Sequence, residues 1–306
     1  MSRRRCSAAS IALLGGAIAV AGCGLGPGRG LSDVRLTVTR DYGAKPVLER
    51  AVGGVTESDT AMRVLERSTQ VSTRYGGGFV QAIDGTEGED RGGASYDWFF
   101  YVNGVESSVG AAAYALHGGE AIWWDYRDWS AAMAVPAVVG SWPEPFTGGY
   151  EGKRHPVSLE CMGGGGPCAE VRSRLEIVGV PLAAGSPSGA IRVLVGPWAR
   201  VRSDPAAAQI EAGPQASGVF AQLSRRGGGF SLKGLGEDGK VARSFGPGAG
   251  LVAATRRFEA PPTWIITGVS PAGVRAAAGL LDIANLRDHY AVAIEAGKET
   301  PLPATG

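Results

Sequence analysis

The chain has 306 residues, 44% of them hydrophobic, and its 30 basic and 29 acidic side chains nearly cancel. That length exceeds what one hydrophobic core usually serves and predicts two domains. The near-neutral balance argues against nucleic acid or an anionic membrane surface as partner, because both select basic patches.

Arg3, Arg4 and Arg5 precede an apolar, small-residue run over residues 11–21, the pattern of a secretory signal. The run is shorter than the about 20 apolar residues of a membrane-spanning helix, so cleavage is expected rather than anchoring by a helix. Val20-Ala21-Gly22-Cys23 then resembles the lipobox of bacterial lipoproteins. The resemblance implies removal of residues 1–22 and lipid, palmitate among it, on Cys23, which would hold the chain on the outer face of the cell membrane. Two or three acyl chains anchor far better than one. Residues 23–33, rich in glycine, read as a tether. With Cys6 discarded and Cys23 acylated, Cys161 and Cys168 remain, and in an oxidising compartment they predict one disulfide. The glycine run 163–166 is flexible enough to close so small a ring. Zinc is the rival reading, but it needs about four ligands, and His117, His155 and His289 lie far apart in sequence; no metal site and no cofactor are expected.

Residues 34–140 form the first predicted domain. Leu36-Thr37-Val38 alternates as a strand should. A helix opening at Ser58 would place Ala61, Met62 and Leu65 on one face. Strands follow at 79–83, 98–102 and 121–126, with tight turns at Asp84-Gly85 and Asn103-Gly104. One helix packed on a small sheet satisfies these elements.

Residues 141–155, with their Pro, Gly and charge, read as a linker. Over 156–296 the rhythm changes to strand, helix, strand, predicting an α/β domain and hence an α+β chain overall. Strand 191–195, helix 204–210 and strand 219–223 match strand 263–267, helix 270–281 and strand 290–294 in order, at an offset of about 71 residues between the strands, which suggests duplicated units. A glycine-rich hairpin around Asp238-Gly239 lies between them. Residues 297–306 read as a disordered tail. Its Leu302-Pro303-Ala304-Thr305-Gly306 resembles a sortase signal, but no apolar segment or basic tail follows, so no wall anchor is expected.

Five blocks in order carry the most information: Thr60 to Leu65, Gly78 to Gly85, Trp98-Phe99-Phe100-Tyr101-Val102-Asn103-Gly104, Gly110 to Leu116, and Gly118-Gly119-Glu120-Ala121-Ile122-Trp123-Trp124-Asp125-Tyr126. Over residues 34–129 they resemble a bacterial domain family of unassigned function related to the C-terminal, cobalamin-covering domain of transcobalamin and intrinsic factor. Glu120 stands where that family usually has Asp. The resemblance implies a small helix-on-sheet domain and raises a corrinoid as a candidate ligand, although the helical half of the transcobalamin site has no counterpart here.

Trp98, Tyr101, Tyr114, Trp124 and Tyr126 are the candidate ligand-binding residues, because aromatic rings with a polar edge suit a flat organic ligand or a partner surface. On alternating strands, half of such rings belong to the core, and Trp124 and Tyr126 should face away from Trp123. No G-x-S-x-G elbow, phosphate loop or His-Glu-x-x-His occurs, so no catalytic residues are assigned. The expected function is a non-enzymatic, lipid-anchored protein that binds a small molecule or assists its uptake, with a membrane transporter as a candidate partner. The alternative is a surface module for another protein or a cell-wall polymer.

Overall fold

A computed structural model describes residues 28–305, so Cys23, the leader and the first five residues of the tether fall outside the described residues. The chain is α+β, with two units that share a core. In the first unit the elements are β1 (Val34–Arg40), β2 (Lys45–Val52), α1 (Ala61–Glu66), β3 (Val71–Arg74), β4 (Phe79–Ile83), β5 (Thr86–Glu87), β6 (Glu89–Arg91), β7 (Ala94–Val102), β8 (Val105–Glu106) and β9 (Ala121–Asp128). The main sheet has the order β2-β1-β9-β7-β6, with β8 paired to β7. β1 and β9 run parallel and β7 and β9 antiparallel. A small sheet, β3-β4-β5, flanks it. α1 starts at Thr60, whose hydroxyl accepts the amide of Arg63, two residues later than the Ser58 start that the sequence predicts. Asp59 instead accepts the amide of Thr56 and ties down the preceding turn. Asn103 and Gly104 take left-handed backbone angles, as the hairpin between β7 and β8 requires.

The second unit contains β10 (Val157–Cys161), α2 (Gly165–Ile177), β11 (Ile191–Pro197), α3 (Trp198–Val201), α4 (Pro205–Ala208), α5 (Pro214–Ser217), β12 (Ala221–Arg226), β13 (Gly229–Leu235), β14 (Val241–Ser244), β15 (Gly250–Thr255), β16 (Thr263–Gly268), α6 (Pro271–Ala278), α7 (Ile283–Leu286), β17 (Ala291–Glu295) and β18 (Lys298–Leu302). Its large sheet has the order β10-β11-β16-β15-β17-β18. β12, β13 and β14 form a separate antiparallel sheet.

Three expectations need correction. The 71-residue offset survives in one place: β11 and β16 are parallel neighbours, with Arg192 opposite Thr263 and Gly196 opposite Thr267. The remainder of the two repeats diverges. Prolines and Gly213 divide the first helix into short pieces, and β12 pairs with its own hairpin partner β13 while β17 joins the large sheet. The proposed linker is largely packed: Trp142 and Phe146 are buried beside Trp264, and Tyr150, four residues further on, is buried in the same core. The tail is not disordered at its start either, because β18 pairs antiparallel with β17 and buries Thr300, Leu302 and Ala304.

The two units meet across a face of the first sheet. Tyr42, Tyr101 and Trp123 pack with Phe220 and Tyr290 of the second unit, several of the rings edge to face with centroids 4.9 to 5.7 Å apart. Gly43 and Gly140 permit this approach, since a side chain at either position would collide with the backbone of Asp288 or His289. The opposite face of the sheet packs on α1 and carries the unit's own core. No helix among the described residues is long and apolar enough to cross a membrane.

Candidate functional site

Strand parity divides the aromatic cluster. Along β7 and β9, Trp98, Phe100, Trp124 and Tyr126 point toward α1, whereas Tyr101 and Trp123 point toward the second unit. The opposition of Trp124 and Tyr126 to Trp123 is thus as the alternation requires. The α1 face is open at one end. There Met62, Phe79, Trp98, Phe100, Val109 and Trp124 line a cleft of about 330 Å³ between α1, β4 and the loop after β8. This volume lies at the small end of the range for organic-ligand sites.

Trp124 and Phe100 form the inner wall, stacked with centroids 4.8 Å apart. Trp124 is buried, yet its indole Nε1 has no acceptor among the described residues. A buried donor left in that state costs about 1–3 kcal/mol. At the rim, Phe79 is 39% exposed and Val109 47% exposed. Tyr75, 85% exposed, stands edge to face with Phe79 at 6.3 Å. Leaving apolar side chains in water around an apolar cleft marks a surface kept for contact.

Of the five aromatic candidates, Trp98 and Trp124 line the cleft. Trp98 also donates through Nε1 to the carbonyl of Thr86 at 2.9 Å, which fixes its ring. Tyr126 is structural: it packs against Tyr96 and Trp98 and donates its hydroxyl to the carbonyl of Glu87. Tyr114 is buried and donates to Glu120 Oε1 at 2.9 Å. Glu120 also accepts the backbone amide of His117, and burial raises its carboxyl above the usual range. Tyr101 lies on the opposite face, in the core shared by the two units. Phe79, Phe100 and Val109 were not among the candidates. Phe100 has the parity of Trp98 and could have been read from β7; the loop position of Val109 leaves no periodic signal.

Behind the cleft, the other face of the same strands holds a buried polar network. Asp125 accepts from Thr39 Oγ1 at 2.5 Å, from the amide of Gly43 at 3.1 Å and from Tyr290 at 3.0 Å. Burial pushes its carboxyl up to about 6, against the lowering effect of those donors and of Arg127. Trp123 Nε1 donates to Thr39 Oγ1 at 2.8 Å. Arg127 is fully buried, donates to the carbonyls of Ala132 and Met133, and lies 3.7 Å from the ring centroid of Phe99. These groups lock the two units together; Thr39, Trp123, Asp125 and Arg127 do not line the cleft, and Phe99 alone touches both.

In the second unit, Cys161 and Cys168 are joined in a disulfide, as the cysteine count predicts, with their Cα atoms 5.8 Å apart. The glycines between them lead into α2, a helix that the sequence analysis does not predict. Among the described residues no three His, Cys, Asp or Glu side chains group as metal ligands would.

No curated protein matches the chain. A solved structure from Ruminococcus gnavus ATCC 29149, provisionally named a metal-binding protein, aligns at 17% identity over 32% of this chain and 97% of its own. Its TM-score of 0.25 is too low to carry an argument. Residues 58–128, from the turn before α1 to the end of β9, match the profile of a domain of unknown function, DUF4430, and this stretch contains every residue that lines the cleft.

Proposed function

We propose that the chain is a lipid-anchored, extracytoplasmic binding or accessory protein, without catalysis of its own, whose cleft takes a small planar or apolar group. The observation that carries this reading is the cleft itself: an aromatic wall of Trp98, Phe100 and Trp124, and a rim of exposed Phe79 and Val109. Such a site favours a neutral ring system. A whole corrinoid exceeds about 330 Å³ and could engage only by inserting an edge or a side group. Delivery to a membrane transporter is the role that fits a lipid anchor and a cleft without catalytic groups.

Titration of tryptophan fluorescence with indole, 1-naphthol, cobinamide and cobalamin tests the reading. Saturable quenching at micromolar concentration by at least one of the four supports it, and the pattern among them ranks ring size. No saturable response to any of them overturns it. The exposed Tyr75 beside Phe79 favours a second reading, in which the cleft receives a side chain of a partner protein.

A further inference from the structure

The second unit carries an open cavity that the cleft does not explain. β10 and β11 run parallel, and at their C-terminal ends Cys161, Gly163, Gly164, Cys168, Arg172 and Arg200 line a space of about 430 Å³. Ligands of open α/β sheets gather at such strand ends. The two sulfur-bearing residues differ in access: Cys161 is exposed and Cys168 is buried in the second unit's core. Arg172 and Arg200 are exposed and, among the described residues, neither pairs with a carboxylate. Arg172 follows Cys168 by one helical turn on α2, whose first turn has no side-chain cap. A disulfide reachable from one side, in a cavity bearing two unpaired guanidinium groups, differs from a staple sealed in a core.

We propose that the Cys161–Cys168 disulfide is an exchange site for small anionic thiols, with Arg172 and Arg200 receiving the carboxylates of the incoming molecule. The thiolate attacks the sulfur of Cys161, the accessible one. A new bond forms between the incoming sulfur and Cys161, the Cys161–Cys168 bond breaks, and its electron pair leaves on Cys168, which then takes a proton from water. The product is a mixed disulfide on Cys161 and a thiol on Cys168; the incoming thiol is the only co-reactant. Exposed disulfides are the ones that serve as labile or regulatory bonds, while attack depends on access and on the charge around the sulfur. The net negative charge of the thiol is drawn by the two arginines, an effect that works mainly on the rate of encounter.

The test uses the full chain with its disulfide formed. It is incubated with reduced glutathione, which is net anionic, or with neutral 2-mercaptoethanol; samples are quenched in acid, blocked with a maleimide and mapped by mass spectrometry. The rate of disulfide opening is followed as well, so the result stands even if the adduct reverts quickly. Expected are adducts on Cys161 rather than Cys168, and an opening rate with glutathione that falls about tenfold in the doubly substituted Arg172→Glu, Arg200→Glu protein. With 2-mercaptoethanol the same substitutions should change the rate less than about twofold. Adducts on Cys168, a disulfide that neither thiol opens while the protein stays folded, or equal losses with both thiols would overturn the proposal.

Discussion

Tyr290 of the second unit donates its phenol proton to Asp125 of the first, 165 residues earlier, at 3.0 Å. The bond sits in the core that joins the units, so the ionisation of Asp125 bears on the whole chain. Its folded value of about 6 lies above the ordinary 3.8 because of burial. The protonated form is therefore the stabilising one: its contribution is complete below about pH 4 and is lost as pH rises through about 6. The gap corresponds to about 3 kcal/mol. Asp125→Asn keeps an acceptor for Thr39 and Gly43 and cannot ionise. Its stability relative to the parent should rise by about 3 kcal/mol between pH 4 and pH 7 in denaturant unfolding. Burial also lifts Asp288 to about 6, but that group is present in both proteins and cancels. A difference that does not vary with pH would refute this account.

Arg127 supplies the cation of that network, and two of its carbonyl acceptors, Ala132 and Met133, belong to the segment that leads into the second unit. Replacing it with Met leaves those carbonyls without their donor. The cost should be about 2–4 kcal/mol in denaturant unfolding, since hydrogen bonds to charged groups contribute about 1.5–3 kcal/mol each and the relief of desolvating the guanidinium offsets part. A change below about 0.5 kcal/mol would show that the carbonyls find other partners.

Leu302 is 1% exposed, at the end of β18. Leu302→Ala should destabilise by about 2–5 kcal/mol, the range for a buried leucine. A disordered end would show no change in the thermal midpoint.

The rim of the cleft can be altered without disturbing the core. Phe79→Ser and Val109→Ser remove partly exposed side chains, so each should leave stability within about 1 kcal/mol of the parent. Together they should weaken whichever aromatic probe binds by about tenfold or more. Unchanged affinity would place the binding site elsewhere.

Cys23→Ser tests the anchor. Cells producing this variant should release the protein into the medium or accumulate it with its leader uncleaved, as seen by fractionation and blotting. Membrane retention equal to that of the parent would remove the lipid from the account.

The first unit was legible because its signals are local. Asn103-Gly104 dictates a hairpin by backbone sterics, and the alternation of Trp123 and Trp124 assigns each ring to a face. What alternation cannot show is what covers a face. Tyr101 and Tyr126 look equivalent in sequence, yet one meets Tyr290 and the other Glu87, contacts made at separations of 189 and 39 residues. Residues 141–155 misled for a related reason: proline and glycine signalled a break, while Trp142, Phe146 and Tyr150 carried the stronger signal of burial. The tail was misread because Thr300, Leu302 and Ala304 alternate among prolines, and only the waiting edge of β17 makes that alternation a strand. The cleft residues Phe79 and Val109 come from separate elements and converge only after folding.

The packed crossing between the units also bears on how the chain can be cut. Within residues 129–155 the longest exposed stretch is Glu151 to Arg154, with buried Gly149 and Tyr150 just before it. Trypsin nicking at Lys153 or Arg154 would yield two fragments that share the ring cluster of Tyr42, Trp123 and Tyr290 and so travel as one species on a sizing column. They would part only in denaturant, and excising either half by cloning at this point would expose to water the aromatic face that each half needs the other to cover.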